Sequence, residues 1–176
     1  MAHAQNGPVV IKTRTPHDAL FKLTFKEIEN IVGELRAVLP PELLAQLDLD
    51  TLELVPASFI DEELSSRHSD LLYKVKIKFE GSDALLFVLL EHQSTVDSMM
   101  PYRILRYMVL IWDHWLAQGE NKNAKTLPPI FPVVLHHGEG GWNAAVDLSE
   151  LYAIPTTLRP TLLPYLPQFK FLGVLD

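Results

Sequence analysis

Residues 70–93 read DLLYKVKIKFEGSDALLFVLLEHQ, and this stretch decides the fold. Between positions 70 and 79 apolar and polar residues alternate, which is typical of a β-strand with one buried face. Gly81-Ser82 then fits a two-residue hairpin turn with glycine first. The following run, residues 84–93, is almost continuously apolar. Such a run indicates a central strand that helices cover on both faces.

The predicted hairpin brings acidic residues together. With Gly81-Ser82 as the loop, Asp70 lies opposite Gln93 and Leu72 lies opposite Glu91. Asp70, Glu91 and Gln93 then share one face, and Glu91 is the diagonal neighbour of Asp70 at about 7–8 Å. A register slip of one residue would destroy this arrangement.

Two carboxylates at the end of a buried sheet suit Mg²⁺, which takes oxygen ligands and keeps several waters. A metal held there can activate water and neutralise a phosphodiester, which is the chemistry of a metal-dependent nuclease. The same spacing also fits an acid in a polar turn, Asp70, and an acid at a solvated strand end, Glu91. Spacing alone leaves both interpretations open.

The rest of the chain predicts alternating helices and strands. A Thr-Pro start and an apolar stripe predict a helix from residue 15 to Pro40-Pro41. The further predicted elements are a helical piece at 42–47, a strand at 51–59, a helix at 99–118, a strand at 130–136 and a strand at 169–175. Four prolines divide residues 150–168 into short pieces.

Composition limits the function classes. The chain has 176 residues, no cysteine and a formal net charge of −7. The lack of cysteine excludes disulfides and thiolate metal sites, and the negative charge counts against broad, nonspecific binding to nucleic acid. No signal peptide or apolar segment of about 20 residues is recognisable, so we expect a soluble intracellular protein.

Five segments together resemble one family. The strings 70–75 (DLLYKV) and 89–94 (LLEHQS) look like the D…ExQ active-site pattern of the Rpn (YhgA-like) recombination-promoting nucleases, also labelled transposases, a branch of the PD-(D/E)XK nuclease superfamily. Residues 16–22 (PHDALFK), 100–112 and 132–138 (PVVLHHG) agree with it in the same order. An ordered set of this kind is more specific than any single motif.

The resemblance implies an α/β fold with a restriction-endonuclease-like core, a mixed β-sheet flanked by helices in αβββαβ order. It implies Asp70 and Glu91 as metal ligands and catalytic residues, with Gln93 as the third catalytic residue. The expected cofactor is Mg²⁺, with Mn²⁺ or Ca²⁺ as substitutes in vitro. Gln93 stands where the superfamily has lysine, so it can orient a water but cannot supply positive charge.

Other polar residues have two interpretations each. Lys74 and Lys76 fit a nucleic-acid backbone contact or a solvated strand face. Arg103 fits a phosphate contact. Tyr107 lies one helical turn further on, and it fits either the same helix face as Arg103 or the core. Adjacent strand residues point to opposite faces, so His136 and the histidine after it form a poor zinc chelate. His92 points away from its neighbours Glu91 and Gln93, which indicates a structural role.

The sequence thus predicts a cytoplasmic bacterial DNA endonuclease with a role in recombination or mobile elements. The alternative is a nuclease-fold module, weak or inactive in catalysis, that binds nucleic acid or protein. We divide the chain into an N-terminal arm (1–14), a nuclease-like core (15–142) and a Pro-rich C-terminal part of the same domain (143–176). The expected substrate is DNA, no membrane is involved, and cutting both strands with one site per chain favours a homodimer.

Overall fold

The computed structural model describes residues 16–56, 71–79, 82–93, 95–137 and 140–175. The strands are β1 (Leu47–Leu54), β2 (Leu71–Phe79), β3 (Ser82–Gln93), β4 (Ile130–His136) and β5 (Leu172–Leu175). The helices are α1 (Pro16–Lys26), α2 (Ile28–Val38), α3 (Pro41–Leu44), α4 (Met100–Ala117) and α5 (Arg159–Leu162), with short 3-10 turns on either side of α5.

The strands form one sheet in the order β1-β2-β3-β4-β5. The pairs β1/β2 and β2/β3 are antiparallel, whereas β3/β4 and β4/β5 are parallel. Helix α4 connects β3 to β4, because a parallel pair needs a long crossover connection. The predicted α/β class, with a mixed sheet flanked by helices, is confirmed.

Two hydrophobic clusters lie on opposite faces of this sheet. On one face, Ile31 and Leu35 of α2 pack against alternate residues of β2, β3 and β4; we call it the α2 face. On the other, Ile104 and Ile111 of α4 pack against the intervening residues; we call it the α4 face. Strand β3 contributes fully buried residues to both faces, so its prediction as a covered central strand is confirmed.

The single helix predicted after residue 15 is wrong, because the chain breaks at Glu27 (φ −77, ψ 120). Two side chains occupy the carbonyls that a continuous helix would use. The Tyr73 hydroxyl donates to the Phe25 carbonyl, and Asn30 Nδ2 donates to the Thr24 carbonyl at 2.8 Å. Burial raises the pKa of the Tyr73 hydroxyl well above its ordinary value. Thr15, where the predicted helix begins, lies outside the described residues.

Several predicted boundaries also move. Strand β1 begins at Leu47 rather than at 51, and a bulge between Asp48 and Glu53 shifts its register with β2. The Thr51 hydroxyl fills that bulge, donating to the Asp48 carbonyl and accepting from the Lys76 amide. The short helix α3 ends earlier than predicted because its last turn leads directly into β1. Helix α4 and strand β4 lie where they were predicted.

The C-terminal residues return to the sheet. The capping box of Asp147 and Glu150 begins a 3-10 turn, and the Phe171 amide donates to the Val146 carbonyl. Phe171 is buried in the cluster of the α4 face, and β5 is shorter than the predicted strand at 169–175. The division into arm, core and C-terminal part stays a prediction. Among the described helices, none has the length and apolar character needed to cross a membrane.

Candidate functional site

The candidate site lies at the C-terminal end of β3, between two strands. Leu90 pairs with Leu71 of β2, while Glu91 is beside Val134 and Gln93 is beside His136 of β4. Val134 is fully buried and His136 is 2% exposed. Beyond Leu90, the end of β3 is therefore paired with buried residues of β4, and both interpretations of Glu91 stay open.

The hairpin register differs from the prediction. Phe79 pairs with Ser82, so Ser82 belongs to β3 and the loop is not Gly81-Ser82. Leu72 consequently lies opposite Leu89 instead of Glu91. The observed register therefore differs from the predicted one by two residues. Because side chains alternate with period two, a shift of two residues leaves every side chain on its predicted face. A one-residue error would have reversed the faces of β2 and β3 relative to each other.

The alternation along β3 also fixes which face the site residues belong to. Phe87 and Leu89 pack in the cluster of the α4 face, whereas Val88 and Leu90 pack in the cluster of the α2 face. Positions 91 and 93 are in phase with Phe87 and Leu89. Asp70 and the side chains of Glu91 and Gln93 lie outside the described part of the chain, so their roles stay predictions.

His92 takes the opposite phase, as the sequence predicted. Its ring stacks on Phe21 of α1, with centroids 4.5 Å apart and planes 23° apart. Phe21 in turn contacts Phe25, and both belong to the α2 face. The histidine therefore attaches the first helix to the end of β3.

Arg103 and Tyr107 share the buried side of α4, yet they differ in surroundings. Arg103 Nη1 lies 2.9 Å from Asp97 Oδ2, and the arginine side chain is 15% exposed. Asp97 Oδ1 also accepts from the Met99 amide at 2.8 Å, at the start of α4. Tyr107 is fully buried, so of its two interpretations the structure supports the core.

The lysines of β2 run away from the candidate site. Lys74 pairs with Phe87, four positions from Glu91, which corresponds to about 13 Å along a strand. Its ammonium lies 2.5 Å from Glu53 of β1, and Lys78 lies 3.8 Å from Asp48. Acidic residues of the edge strand β1 therefore neutralise part of the positive charge of the β2 lysines. Lys76 is exposed, and its contact with nucleic acid stays a prediction.

An aromatic group on the α4 face was missed by the sequence reasoning. The His136 ring meets Trp142 edge to face, with centroids 5.4 Å apart and planes 81° apart, and Trp142 meets Phe171 in the same way at 5.6 Å. Gly140 and Gly141 have φ values of +96 and +71, and this left-handed backbone turns the chain so that Trp142 follows β4 closely. The sequence did contain a signal for this group. Val134 and His136 are two residues apart in β4, so the histidine lies on the same buried face as the valine.

The described side chains include no group of three His, Asp or Glu residues that could hold a metal ion. Asp70 and the Glu91 side chain are not among them. The predicted metal ligands, Asp70 and Glu91, offer carboxylate oxygens, which are the kind of ligand that Mg²⁺ takes.

The fold and the position of these residues define an α/β protein with a candidate site at the end of its central strand. The chain belongs to the family described as "Putative transposase, YhgA-like", whose model matches residues 15–175. The family resemblance inferred from the sequence is thereby confirmed. No solved structure matches the chain.

Curated relatives include proteins named as nucleases and proteins named as inactive. The chain is 37% identical over 148 residues to the recombination-promoting nuclease RpnD of Escherichia coli O157:H7, which covers 84% of this chain and 55% of RpnD. It is 36% identical over 127 residues to RpnA of Escherichia coli strain K12, covering 72% of this chain and 41% of RpnA. The chain thus spans about half the length of these two relatives.

One relative named as inactive is YjiP of Escherichia coli strain K12, a "Putative inactive recombination-promoting nuclease-like protein". It is 42% identical over 99 residues, which cover 56% of this chain and 94% of YjiP. Membership of the family therefore does not by itself assign catalysis.

Proposed function

We propose that this chain is a metal-dependent DNA endonuclease that hydrolyses phosphodiester bonds in recombination or mobile-element processes. The observation that carries the proposal is the register pair Leu71–Leu90. Asp70 is the residue before Leu71 and Glu91 is the residue after Leu90, so each acid is one peptide unit, about 3.8 Å between Cα atoms, from this pair. Both acids are tethered to one end of the β2–β3 hairpin.

The metal ligands in this proposal are Asp70 and Glu91. Two carboxylates near one another favour a shared divalent cation, and the chain has no thiolate that would select zinc instead. When bound, Mg²⁺ would neutralise charge on the phosphodiester and make water a better nucleophile. Mn²⁺ and Ca²⁺ are the natural substitutes to try in vitro.

Gln93 is proposed to orient the attacking water through its side-chain oxygen. Lysine at this position would also offer positive charge to the transition state, and the carboxamide cannot. Arg103, Lys74 and Lys76 are proposed as phosphate contacts. Arg103 would have to exchange its Asp97 partner for phosphate, and Lys74 would have to leave Glu53.

The fold proposed is the restriction-endonuclease-like core of the PD-(D/E)XK class, supported by the mixed sheet and the element order. The relatives named as recombination-promoting nucleases support the activity. We place the protein in the bacterial cytoplasm, with DNA as substrate and a homodimer as the form that cuts both strands.

A second candidate function is a noncatalytic nuclease-fold module that binds nucleic acid or protein. The relative YjiP, named as inactive, favours it, and so does glutamine in place of lysine at position 93. The two candidates differ in whether the acids are needed for anything beyond folding.

Nicking of supercoiled plasmid separates the two candidates. The wild-type chain is compared with Asp70→Asn and Glu91→Gln, each in Mg²⁺ and in EDTA, after thermal melting shows that the variants are folded. Glu120→Gln is the matched control, because Glu120 is an exposed acid just after α4. We expect EDTA to abolish nicking, both site variants to lose about 100-fold or more, and the control to stay near wild type.

Calorimetric titration with Mg²⁺ measures metal binding directly in the same proteins. Loss of the binding heat in both site variants, together with loss of nicking, supports the proposal. Nicking that survives in the site variants contradicts the assigned ligands. Absence of nicking in Mg²⁺, Mn²⁺ and Ca²⁺, with DNA binding that EDTA leaves unchanged, supports the noncatalytic module.

A further inference from the structure

His136 is a buried imidazole that the proposed mechanism has not used. It is the last residue of β4 and is 2% exposed, whereas the next residue, His137, is exposed. A strand places alternate residues on alternate faces, so His136 follows Val134 onto the α4 face. Positions 91 and 93 of β3 are in phase with that same face.

The neighbours of His136 fix the plane of its ring. Trp142 lies edge to face against it at 5.4 Å, and Phe171 holds Trp142 in turn at 5.6 Å. Edge-to-face ring pairs have a preferred geometry and contribute beyond their buried area. A ring packed in this way loses little further freedom when it forms a hydrogen bond.

The register places this fixed ring beside one residue of the candidate site. Gln93 is the partner of His136 across the parallel pair β3/β4, and neighbouring strands are about 4.8 Å apart. Side chains on register neighbours of the same face are within reach of each other. An imidazole offers one acceptor nitrogen and one donor nitrogen, while a carboxamide offers an NH₂ donor and an oxygen acceptor.

We infer that His136 is a positioning residue for Gln93, an inference that rests on the proposed function. The imidazole accepts a hydrogen bond from the Gln93 NH₂ group, which turns the Gln93 oxygen towards the attacking water. A carboxamide without such a partner can present either its oxygen or its NH₂ group, and only the oxygen accepts a hydrogen bond from water. The aromatic group on the α4 face thereby selects the productive orientation of Gln93.

The first test is a double-mutant cycle on plasmid cleavage in Mg²⁺, with His136→Phe and Gln93→Ala. Phenylalanine keeps the aromatic contact with Trp142 and removes the nitrogen acceptor. We expect His136→Phe to lower kcat about tenfold with KM unchanged, and to have no further effect in the Gln93→Ala background. His136→Asn, which restores an acceptor, should recover part of kcat, and His137→Phe is the matched control.

The second test does not depend on cleavage. The side-chain NH₂ signals of Gln93, assigned by their absence in Gln93→Ala, are followed in ¹⁵N-labelled protein. We expect them to shift in His136→Phe and to stay in place in His137→Phe. Unmoved signals, or kcat losses that multiply in the double variant, would overturn the inference about His136. A wild-type chain that never cleaves, yet whose Gln93 signals shift in His136→Phe, would overturn the nuclease proposal and leave the contact established.

Discussion

The two faces of the central sheet are built from different chemistry. The α2 face is mainly aliphatic, with Ile31, Leu35 and Val88 fully buried, and its buried Tyr73 hydroxyl donates to a backbone carbonyl. The α4 face is also packed, but it includes the His136 imidazole and, beside the start of α4, the Arg103 guanidinium. Buried polar groups are costly unless they are paired. The polar side chains of the α2 face, Tyr73 and His92, contact the first helix, whereas positions 91 and 93 are in phase with the α4 face, which can therefore also serve a site.

The largest expected effect comes from matched cavities, one on each face. Leu35→Ala and Ile104→Ala each remove a fully buried side chain. We expect each to lower the free energy of unfolding by about 2–5 kcal/mol, measured by urea denaturation. Cleavage per folded molecule should stay near wild type in Leu35→Ala and fall in Ile104→Ala. Equal effects on cleavage would remove the distinction between the faces.

The next effect concerns the polar contact within the α2 face. Tyr73→Phe removes the hydroxyl that donates to the Phe25 carbonyl at the break between α1 and α2. We expect a loss of about 1–3 kcal/mol in the free energy of unfolding at neutral pH, because the carbonyl loses its partner. Hydrogen exchange should show faster opening in the first two helices, with β4 and β5 as the internal control. A variant as stable as wild type would show that the break has another cause.

The same tyrosine makes a prediction about pH. Burial raises the pKa of Tyr73 in the folded chain, whereas the unfolded chain titrates at the ordinary value of about 10. Below that value both states are protonated and the stability is fully present. As pH rises above it, the unfolded state loses the proton first, so stability falls. Urea denaturation at rising pH should show this decline in wild type and a flatter curve in Tyr73→Phe.

A smaller effect is expected at the start of α4. Asp97→Ala removes the acceptor for the Met99 amide and the partner of Arg103. We expect a loss of about 1 kcal/mol, measured by thermal melting. Asp97→Asn, which keeps an acceptor but no charge, should lose less. If the two variants are equally destabilised, the ion pair with Arg103 rather than the hydrogen bond from the Met99 amide is what matters.

The smallest effect is expected at the lysines of β2. Lys74 and its partner Glu53 are both substantially exposed, so we expect Lys74→Ala to change the free energy of unfolding by less than about 1 kcal/mol. If Lys74 contacts DNA, the salt dependence of DNA binding should weaken in Lys74→Ala, and Lys78→Ala gives the matched comparison further along the strand. An unchanged salt dependence would remove Lys74 from the proposed DNA contact.

The sequence by itself determined the elements whose pattern is strong. The continuous apolar run of β3 predicted a strand covered on both faces, and the apolar spacing of α4 predicted a helix from about residue 99 to residue 118. These predictions hold because burial of a strand or a helix imposes a period on its own residues. The face shared by Glu91 and Gln93 follows from the same period.

The tertiary structure decided the features that depend on contacts between distant residues. The Tyr73 hydroxyl donates to the Phe25 carbonyl beside the break at Glu27, across 48 residues of chain, and no local pattern contains that contact. The hairpin register was set by the pairing of Phe79 with Ser82, not by the expected turn. The placement of His136 beside Gln93 comes from the parallel pairing of β3 with β4, which needs the crossover through α4 and joins residues that no local pattern relates.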